Sequence, residues 1–162
     1  MKVQIINNSK NPLPKYAKPG DAGMDLMADL TGIKEEYMSF SIYDEEAKVI
    51  TIFPGGRALI PTNIHIAVPE GYELQIRPRS GSALKYGITV LNTPGTIDSG
   101  YRNSIGVILI NLGEEDFNVN QGDRIAQAVL EAFVSVEWEL VEELSDSDRG
   151  MGGFGHTGTK EV

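Results

Sequence analysis

The sequence contains no cysteine and only two histidines, His65 and His156. Without cysteine there is no disulfide, no thiolate nucleophile and no zinc–thiolate site, and two separate histidines are too few for a histidine metal cage. Basic residues are also scarce, since 14 lysines and arginines stand against 23 aspartates and glutamates, for a net charge of −9. Neutralising the phosphates of duplex nucleic acid requires a basic surface. We therefore expect no nucleic-acid partner, although a few placed arginines could hold a small phosphorylated ligand.

Long apolar segments are missing as well. No stretch approaches the ~18 apolar residues needed to span a bilayer, and residues 1–8 lack the apolar run of a secretory signal peptide. We predict a cytoplasmic protein without a membrane partner. With 162 residues, the chain fits one ordinary domain.

Glycine and proline, by contrast, are plentiful, with 18 and 8 residues. Turn-forming residues in that number favour many short strands over a helical bundle. Apolar and polar residues alternate over 64–68 and again over 72–77, and only Ser82–Tyr86 has the composition of a helix. Further strands are predicted at Val3–Ile6, Lys48–Phe53, Arg57–Ile60, Thr89–Leu91, Ile105–Asn111, Ile125–Leu130 and Val134–Val141, with Gly55-Gly56 between two of them. The pattern predicts an all-β sandwich, jelly roll or barrel with one short helix.

The C-terminal residues differ in composition from the rest. Five glycines lie between positions 150 and 158, with almost no large apolar side chain, so residues 146–162 cannot form a core of their own. We predict a flexible arm there, following a domain over residues 1–145. Two matches to the G-x-G-x-x-G pattern fall in this arm, but a dinucleotide-binding motif requires a helix after it, and the sequence ends at Val162.

Three other segments carry candidate chemistry, and each allows two interpretations. Residues 77–85, where a strand meets the start of the short helix, could bind an anion through arginine and free N–H groups, or form a solvated turn with an N-cap serine. Asp98, three residues before Tyr101, could be a general base, but turn chemistry is the favoured interpretation of that segment alone. Asp21 and Asp25 are likewise more typical of turns than of metal ligands.

Taken together, the segments give a far more specific signal. Five short motifs occur in one order: Ala22–Leu26, Pro78–Gly81, Gly95–Arg102, Gly122–Gln127 and Arg149–Gly158. This series closely resembles the five-motif signature of the trimeric dUTPases, and it spans residues 22–158. The resemblance implies a jelly-roll fold of the β-clip type, a homotrimer with active sites shared between subunits, and hydrolysis of dUTP to dUMP and pyrophosphate with Mg²⁺.

The resemblance also implies a role for particular residues. Asp98 would deprotonate the water that attacks the α-phosphorus, and Tyr101 would pack against the deoxyribose. Asp25 would reach the waters of a Mg²⁺ carried by the triphosphate. The uracil edge would meet a hairpin over 92–101, namely Asn92, Gly95, Thr96 and Ile97. The phosphates would be held by Arg79, Ser80, Gly81 and Gln127. The arm would close over the nucleotide with Arg149, Phe154, Gly155, His156, Thr157 and Gly158.

Some features depart from the family pattern or leave alternatives open. Asn103 stands where a glycine is expected, His156 stands where a serine is usual, and residues 32–54 are longer than in compact members, which predicts an extra hairpin or surface loop. The alternatives are an enzyme similar to the dCTP deaminases, which share the fold, and a phage-type dUTPase with an added regulatory, protein-binding role at residues 32–54.

Overall fold

The computed structural model describes residues 1–153. These residues form one α-helix, α1 (Ser80–Tyr86), eleven strands, and a 3₁₀ turn over Glu35–Tyr37. The strands are β1 (Gln4–Asn7), β2 (Gly23–Met27), β3 (Met38–Asp44), β4 (Val49–Pro61), β5 (Ile64–Ala67), β6 (Tyr72–Arg77), β7 (Ile88–Val90), β8 (Gly95–Ile97), β9 (Gly106–Asn111), β10 (Phe117–Asn120) and β11 (Arg124–Ala132).

The strands pair antiparallel in three sheets. A four-stranded sheet has the order β2-β11-β6-β8, and a five-stranded sheet has the order β10-β4-β9-β7 with β3 also paired to β4. Strands β1 and β5 form a separate two-stranded sheet. The predicted all-β jelly roll with one short helix is confirmed, and within residues 1–153 no helix is long and apolar enough to cross a membrane.

One aliphatic core lies between the two larger sheets. Alternate residues of β4, such as Ile52 and Ile60, are fully buried there, and Leu26 and Leu74 contribute from the four-stranded sheet. Burial of each such side chain is worth about 1.5–3 kcal/mol. The period-two alternation seen in the sequence therefore marks the residues that hold the two sheets together.

A buried carboxylate stands at the edge of this core. Asp29 is 3% exposed, and its oxygens accept hydrogen bonds from Asn63 Nδ2 at 2.9 Å and from Thr31 Oγ1 at 2.9 Å. Burial by itself raises the pKa of Asp29, but the hydrogen bonds from Asn63, Thr31 and Gln121 outweigh it and leave that pKa below its usual value. The network therefore stabilises the ionised form of this side chain.

Three predictions about local structure are wrong. Gly55-Gly56 does not separate two strands, because β4 runs continuously from Val49 to Pro61, with Gly55 in the positive-φ region. Residues 92–101 are not a two-stranded hairpin, since they contain one strand, β8, and it pairs with β6. The strand predicted at Val134–Val141 is not formed, because no strand edge of the described chain pairs with it.

Of the extra hairpin and the surface loop predicted for residues 32–54, the structure shows a hairpin. Strand β3 pairs with β4 from Met38 to Asp44, with a register shift between Ser39 and Ser41. Phe40, at that shift, has a φ of 47° and points outward, 76% exposed. That this segment is an insertion relative to compact family members stays a prediction.

Candidate active site

The four-stranded sheet aligns three polar side chains in one row. Asp25 on β2 is paired with Gln127 on β11, and Gln127 is in turn paired with Arg77 on β6. Cross-strand partners point to the same face of a sheet, so all three line one open cleft of about 850 Å³. Lys15 and Asp21 also line it. The sheet register thus brings residues from three distant parts of the chain into one cleft.

Gln127 is fixed in the cleft by two close contacts. Its Nε2 donates a hydrogen bond to the carbonyl of Pro78 at 3.1 Å. A Cβ at Gly23 would lie 2.5 Å from Gln127 Oε1, so any larger residue at position 23 would displace the amide of Gln127 from its present position. Gly23 of the first motif therefore leaves space for the present conformation of Gln127 of the fourth.

A β-bulge brings a further arginine to the same face. The register between β11 and β2 shifts between Arg124 and Ala126, so that Arg124 is paired with Met27 while Gln127 is paired with Asp25. Residues three apart lie on opposite faces of a regular strand, but one extra residue places them on the same face. Arg124 belongs to the fourth motif, but the motif resemblance implied no role for it. Strict alternation would place it on the face opposite to that of Gln127.

Two arginines bracket the carboxylate of Asp25. Arg79 Nε lies 2.9 Å from Oδ1, and Arg124 Nη1 lies 3.2 Å from Oδ2. The Asp25 and Arg79 side chains are 30% and 28% exposed, and Arg124 is 56% exposed. The guanidinium groups leave N–H donors free for an anion, and arginine is suited to phosphate because its donors form a planar fork.

The short helix contributes backbone donors next to this cluster. Arg79 is the residue that caps α1 and makes no side-chain cap hydrogen bond, so the alternative of an N-cap serine is wrong. Ser80 and Gly81 are the first helical residues and both are exposed. The first N–H groups of a helix have no intrahelical partner. They are therefore available beside Arg79.

The residues predicted to meet uracil and sugar lie in a second group at the other edge of the sheet. Gly95, Thr96 and Ile97 form β8, and the Nδ2 atom of Asn92 would be 3.3 Å from a Cβ at Gly95. Position 95 is buried against Ile76 of β6. A side chain at position 95 would therefore press on the Asn92 amide.

Asp98 and Tyr101 follow β8 in a tight turn. The N–H of Tyr101 donates to the carbonyl of Asp98 at 3.1 Å, and the Tyr101 hydroxyl donates to the carbonyl of Ser104 at 2.9 Å. The Asp98 side chain is exposed.

The start of the segment 92–101 reaches the cleft, since Thr93 and Pro94 line it together with Asp25, but Asp98 lies far from Asp25 within one chain. Three strand spacings separate β2 from β8, and Ile97, the neighbour of Asp98, pairs with Leu74, three residues from Arg77. With ~4.8 Å between strands and ~3.3 Å per residue, Asp98 and Asp25 are about 20 Å apart. The structure gathers Asp25, Arg79 and Gln127, and it does not bring Asp98 or Tyr101 to them.

Of the predicted arm residues, only Arg149 belongs to the described part of the chain. Its Nε donates to the carbonyl of Gly152 at 2.9 Å, within a turn that Gly150 closes on Ser147. Phe154, Gly155, His156, Thr157 and Gly158 lie outside the described residues.

Two arginines, a glutamine and a carboxylate that lie together at one sheet of a jelly roll are the donors typical of proteins that bind phosphorylated ligands. The family model for dUTPase matches residues 9–158. The chain therefore belongs to the dUTPase family.

Individual relatives agree with this assignment. The chain is 49% identical over 158 residues to the deoxyuridine 5'-triphosphate nucleotidohydrolase of Finegoldia magna, covering 98% of this chain and 99% of the relative. A solved structure of a dUTPase variant from Staphylococcus bacteriophage 80alpha with dUpNHpp matches with a TM-score of 0.79 and 25% identity, over 97% of this chain and 98% of that chain. A dUTPase variant from phage phi11 of S. aureus, described with a structural Mg(II) ion, has a similar fold with a TM-score of 0.72 and 21% identity, over 90% and 100% of the two chains.

Proposed function

We propose that the protein is a dUTP diphosphatase, which hydrolyses dUTP to dUMP and pyrophosphate, keeps uracil out of DNA and supplies dUMP for dTMP synthesis. The observation that carries the proposal is the cluster of Asp25, Arg79 and Gln127, in which Arg79 is bonded to Asp25 and Asp25 is the cross-strand partner of Gln127, in a chain that matches the dUTPase family over residues 9–158. We also propose that it acts in the cytoplasm, where the deoxynucleotide pool is found.

The cluster supplies what phosphoryl transfer needs most, which is positioning and charge neutralisation. Arg79, the first N–H groups of α1 at Ser80 and Gly81, and the amide of Gln127 would hold the phosphate chain. Arg79 is already oriented by its 2.9 Å bond to Asp25. This bond holds Arg79 beside the start of α1 until a triphosphate competes with Asp25 for its N–H donors.

Asp98 would act as the general base. Its carboxylate takes a proton from a water while the water oxygen forms a bond to the α-phosphorus, and the bond from that phosphorus to the oxygen leading to the β-phosphorus breaks. The electron pair leaves with pyrophosphate. A positioned base of this kind contributes typically 10²–10⁴-fold to the rate.

Mg²⁺ is part of the proposal as a cofactor that arrives with the nucleotide. Residues 1–153 contain no group of three His, Cys, Asp or Glu side chains that could cage a metal, whereas Asp25 and Asp21 offer two carboxylates in the cleft. This donor set fits Mg²⁺, which keeps several waters and is held mainly by substrate phosphates. Asp25 would hold it through water, and the bound ion neutralises charge on the triphosphate.

The distance of about 20 Å between Asp98 and Asp25 implies that a complete site needs two chains. We propose a homotrimer in which Asp98 and Tyr101 of one subunit face Asp25 and Arg79 of another, with the arm closing over the nucleotide. Exposed apolar residues support assembly. Val134, Trp138 and Leu140 are 90%, 89% and 100% exposed in the single chain, and such surfaces mark protein contacts.

Selectivity for dUTP would come from the segment Asn92–Tyr101. Backbone donors and acceptors of β8 would read the uracil edge, with cytosine leaving buried polar groups unpaired at about 1–3 kcal/mol each. The ring of Tyr101 would exclude a ribose 2′-hydroxyl.

Incubation of the protein with dUTP, dTTP, dCTP or UTP and Mg²⁺ tests the function directly. We expect dUMP and pyrophosphate from dUTP far faster than from the others. Ammonia and dUTP from dCTP would instead identify a deaminase. The comparisons favour neither the deaminase nor the added regulatory role. Equal hydrolysis of all four nucleotides would contradict the proposed uracil and sugar contacts.

A further inference from the structure

Arg124 lies in the phosphate-side cluster without a role in the function proposed above. Its Nη1 lies 3.2 Å from Asp25 Oδ2, while its backbone carbonyl accepts a hydrogen bond from Arg79 Nη1 at 3.2 Å. Arg79 closes the ring through its own 2.9 Å bond to Asp25 Oδ1. One carboxylate thus has two counterions, one on each oxygen.

The two counterions are not equivalent. Arg79 is the N-cap residue of α1 and makes no side-chain cap hydrogen bond, and within the described part of the chain its Nη2 atom makes no hydrogen bond to Asp25 or Arg124, so it is the arginine that can turn to a phosphate chain. Arg124 projects from the bulge of β11 and is 56% exposed. A triphosphate that draws Arg79 away from Asp25 would leave the carboxylate beside several negative charges, and the bond from Arg124 is the contact that remains.

We propose that Arg124 is a positioning residue, which keeps the Asp25 carboxylate neutralised and oriented while Arg79 turns to the phosphates. The proposal rests on the proposed binding of dUTP in this cleft. The bulge is the structural reason for the arrangement, because it is the bulge that turns Arg124 to the face of Asp25. In the charge balance of the ring, two positive groups surround one negative group, so one full positive charge is available to the ligand.

A direct contact from Arg124 to phosphate is the competing explanation, and a double-mutant cycle separates the two. Arg124→Ala removes the side chain and keeps the carbonyl that orients Arg79. We expect it to weaken binding of the non-hydrolysable analogue dUpNHpp about threefold to fivefold, since the pair is partly exposed. In an Asp25→Asn background, the same substitution should change affinity less than about twofold, since the charge on which Arg124 acts is gone.

The measurement is calorimetric titration of each variant with dUpNHpp and with dUMP, with and without Mg²⁺. Affinity for dUMP should change little, because a single phosphate competes less for Arg79. Arg124→Lys should restore part of the affinity for dUpNHpp. Arg57→Ala, an equal loss of charge on the exposed face of the other sheet, is the matched control and should leave both affinities unchanged.

Two results would overturn the proposal. If Arg124→Ala weakens dUpNHpp binding equally in the wild-type and Asp25→Asn backgrounds, Arg124 contacts the phosphates itself. If Arg124→Ala has no effect in either background, Arg124 has no part in binding. Failure of the proposed function is a separate outcome, seen as wild-type protein that releases no pyrophosphate from dUTP.

Discussion

Two inactive variants should restore activity when they assemble together. Asp98→Asn removes the proton acceptor, and Arg79→Ala removes the phosphate ligand that Asp25 orients. Asp98 and Asp25 are about 20 Å apart in one chain, so a functional site would take Asp98 from one subunit and Arg79 from its neighbour. A mixed trimer then contains sites in which both residues are intact.

The size of the effect follows from the symmetry of a three-membered ring. Each heterotrimer, whether it holds one or two copies of either variant, has one site of three with both residues intact, so we expect about one third of wild-type turnover. Each homotrimer should fall by at least ~10²-fold, the contribution of a positioned base, while Asp98→Asn still binds dUpNHpp.

The assay is co-expression of the two variants with different affinity tags, tandem purification to isolate heterotrimers, and measurement of pyrophosphate release from dUTP. The control is a mixture of the two homotrimers, each purified separately and combined afterwards. Heterotrimers that are confirmed by mass but show only the residual turnover of the homotrimers would refute the shared site and place the whole reaction within one chain.

Three other outcomes are expected. Because Asp29 has a pKa below its usual value in the folded state, its ionised form stabilises the fold above about pH 4 and loses that contribution as pH falls further. Asp29→Asn should therefore reduce the dependence on acidic pH of the free energy of unfolding measured in urea. An unchanged pH profile would contradict the role of the hydrogen bonds to Asp29. Tyr101→Ala should raise turnover of UTP relative to dUTP more than that of dCTP, since it opens the sugar side alone, and an unchanged UTP ratio would refute the contact. Truncation after Ser147 should leave thermal unfolding and the assembled mass intact but abolish most turnover, and full activity would show that the arm is dispensable.

Alternation predicted the strands that are buried on one face and missed β2, which carries Asp25, and β8. The predicted segments at 72–77 and Ile125–Leu130 lie within β6 and β11, because burial of every second residue determines their sequence. Strand β2 was interpreted as a turn, because Gly23 and Asp25 are turn residues by composition. Their place in a strand depends on pairing with β11, and pairing partners distant in sequence cannot be read from local composition.

The candidate site was predictable only in part for a similar reason. The five motifs identified Asp25, Arg79 and Gln127, which the structure brings together. They could not show which residues one subunit supplies to one cleft, since Asp98 lies in the same chain and about 20 Å away. The unpaired residues 134–141 illustrate the same limit, because a strand pattern states that a segment can pair and not where its partner is.

The bulge of β11 makes the site sensitive to insertion length in an unusual way. Side chains of a strand alternate between its two faces, and the extra residue between Arg124 and Ala126 reverses that alternation for the residues on one side of it. Deletion of one residue there would leave the ladder around Gln127 in register and yet turn the arginine toward the core, whereas insertion of one more would do the same from the other side. Changes of two residues preserve the alternation. We therefore expect insertions or deletions of an odd number of residues at this point to be disfavoured, and those of an even number to be tolerated better, even though the segment carries no catalytic atom.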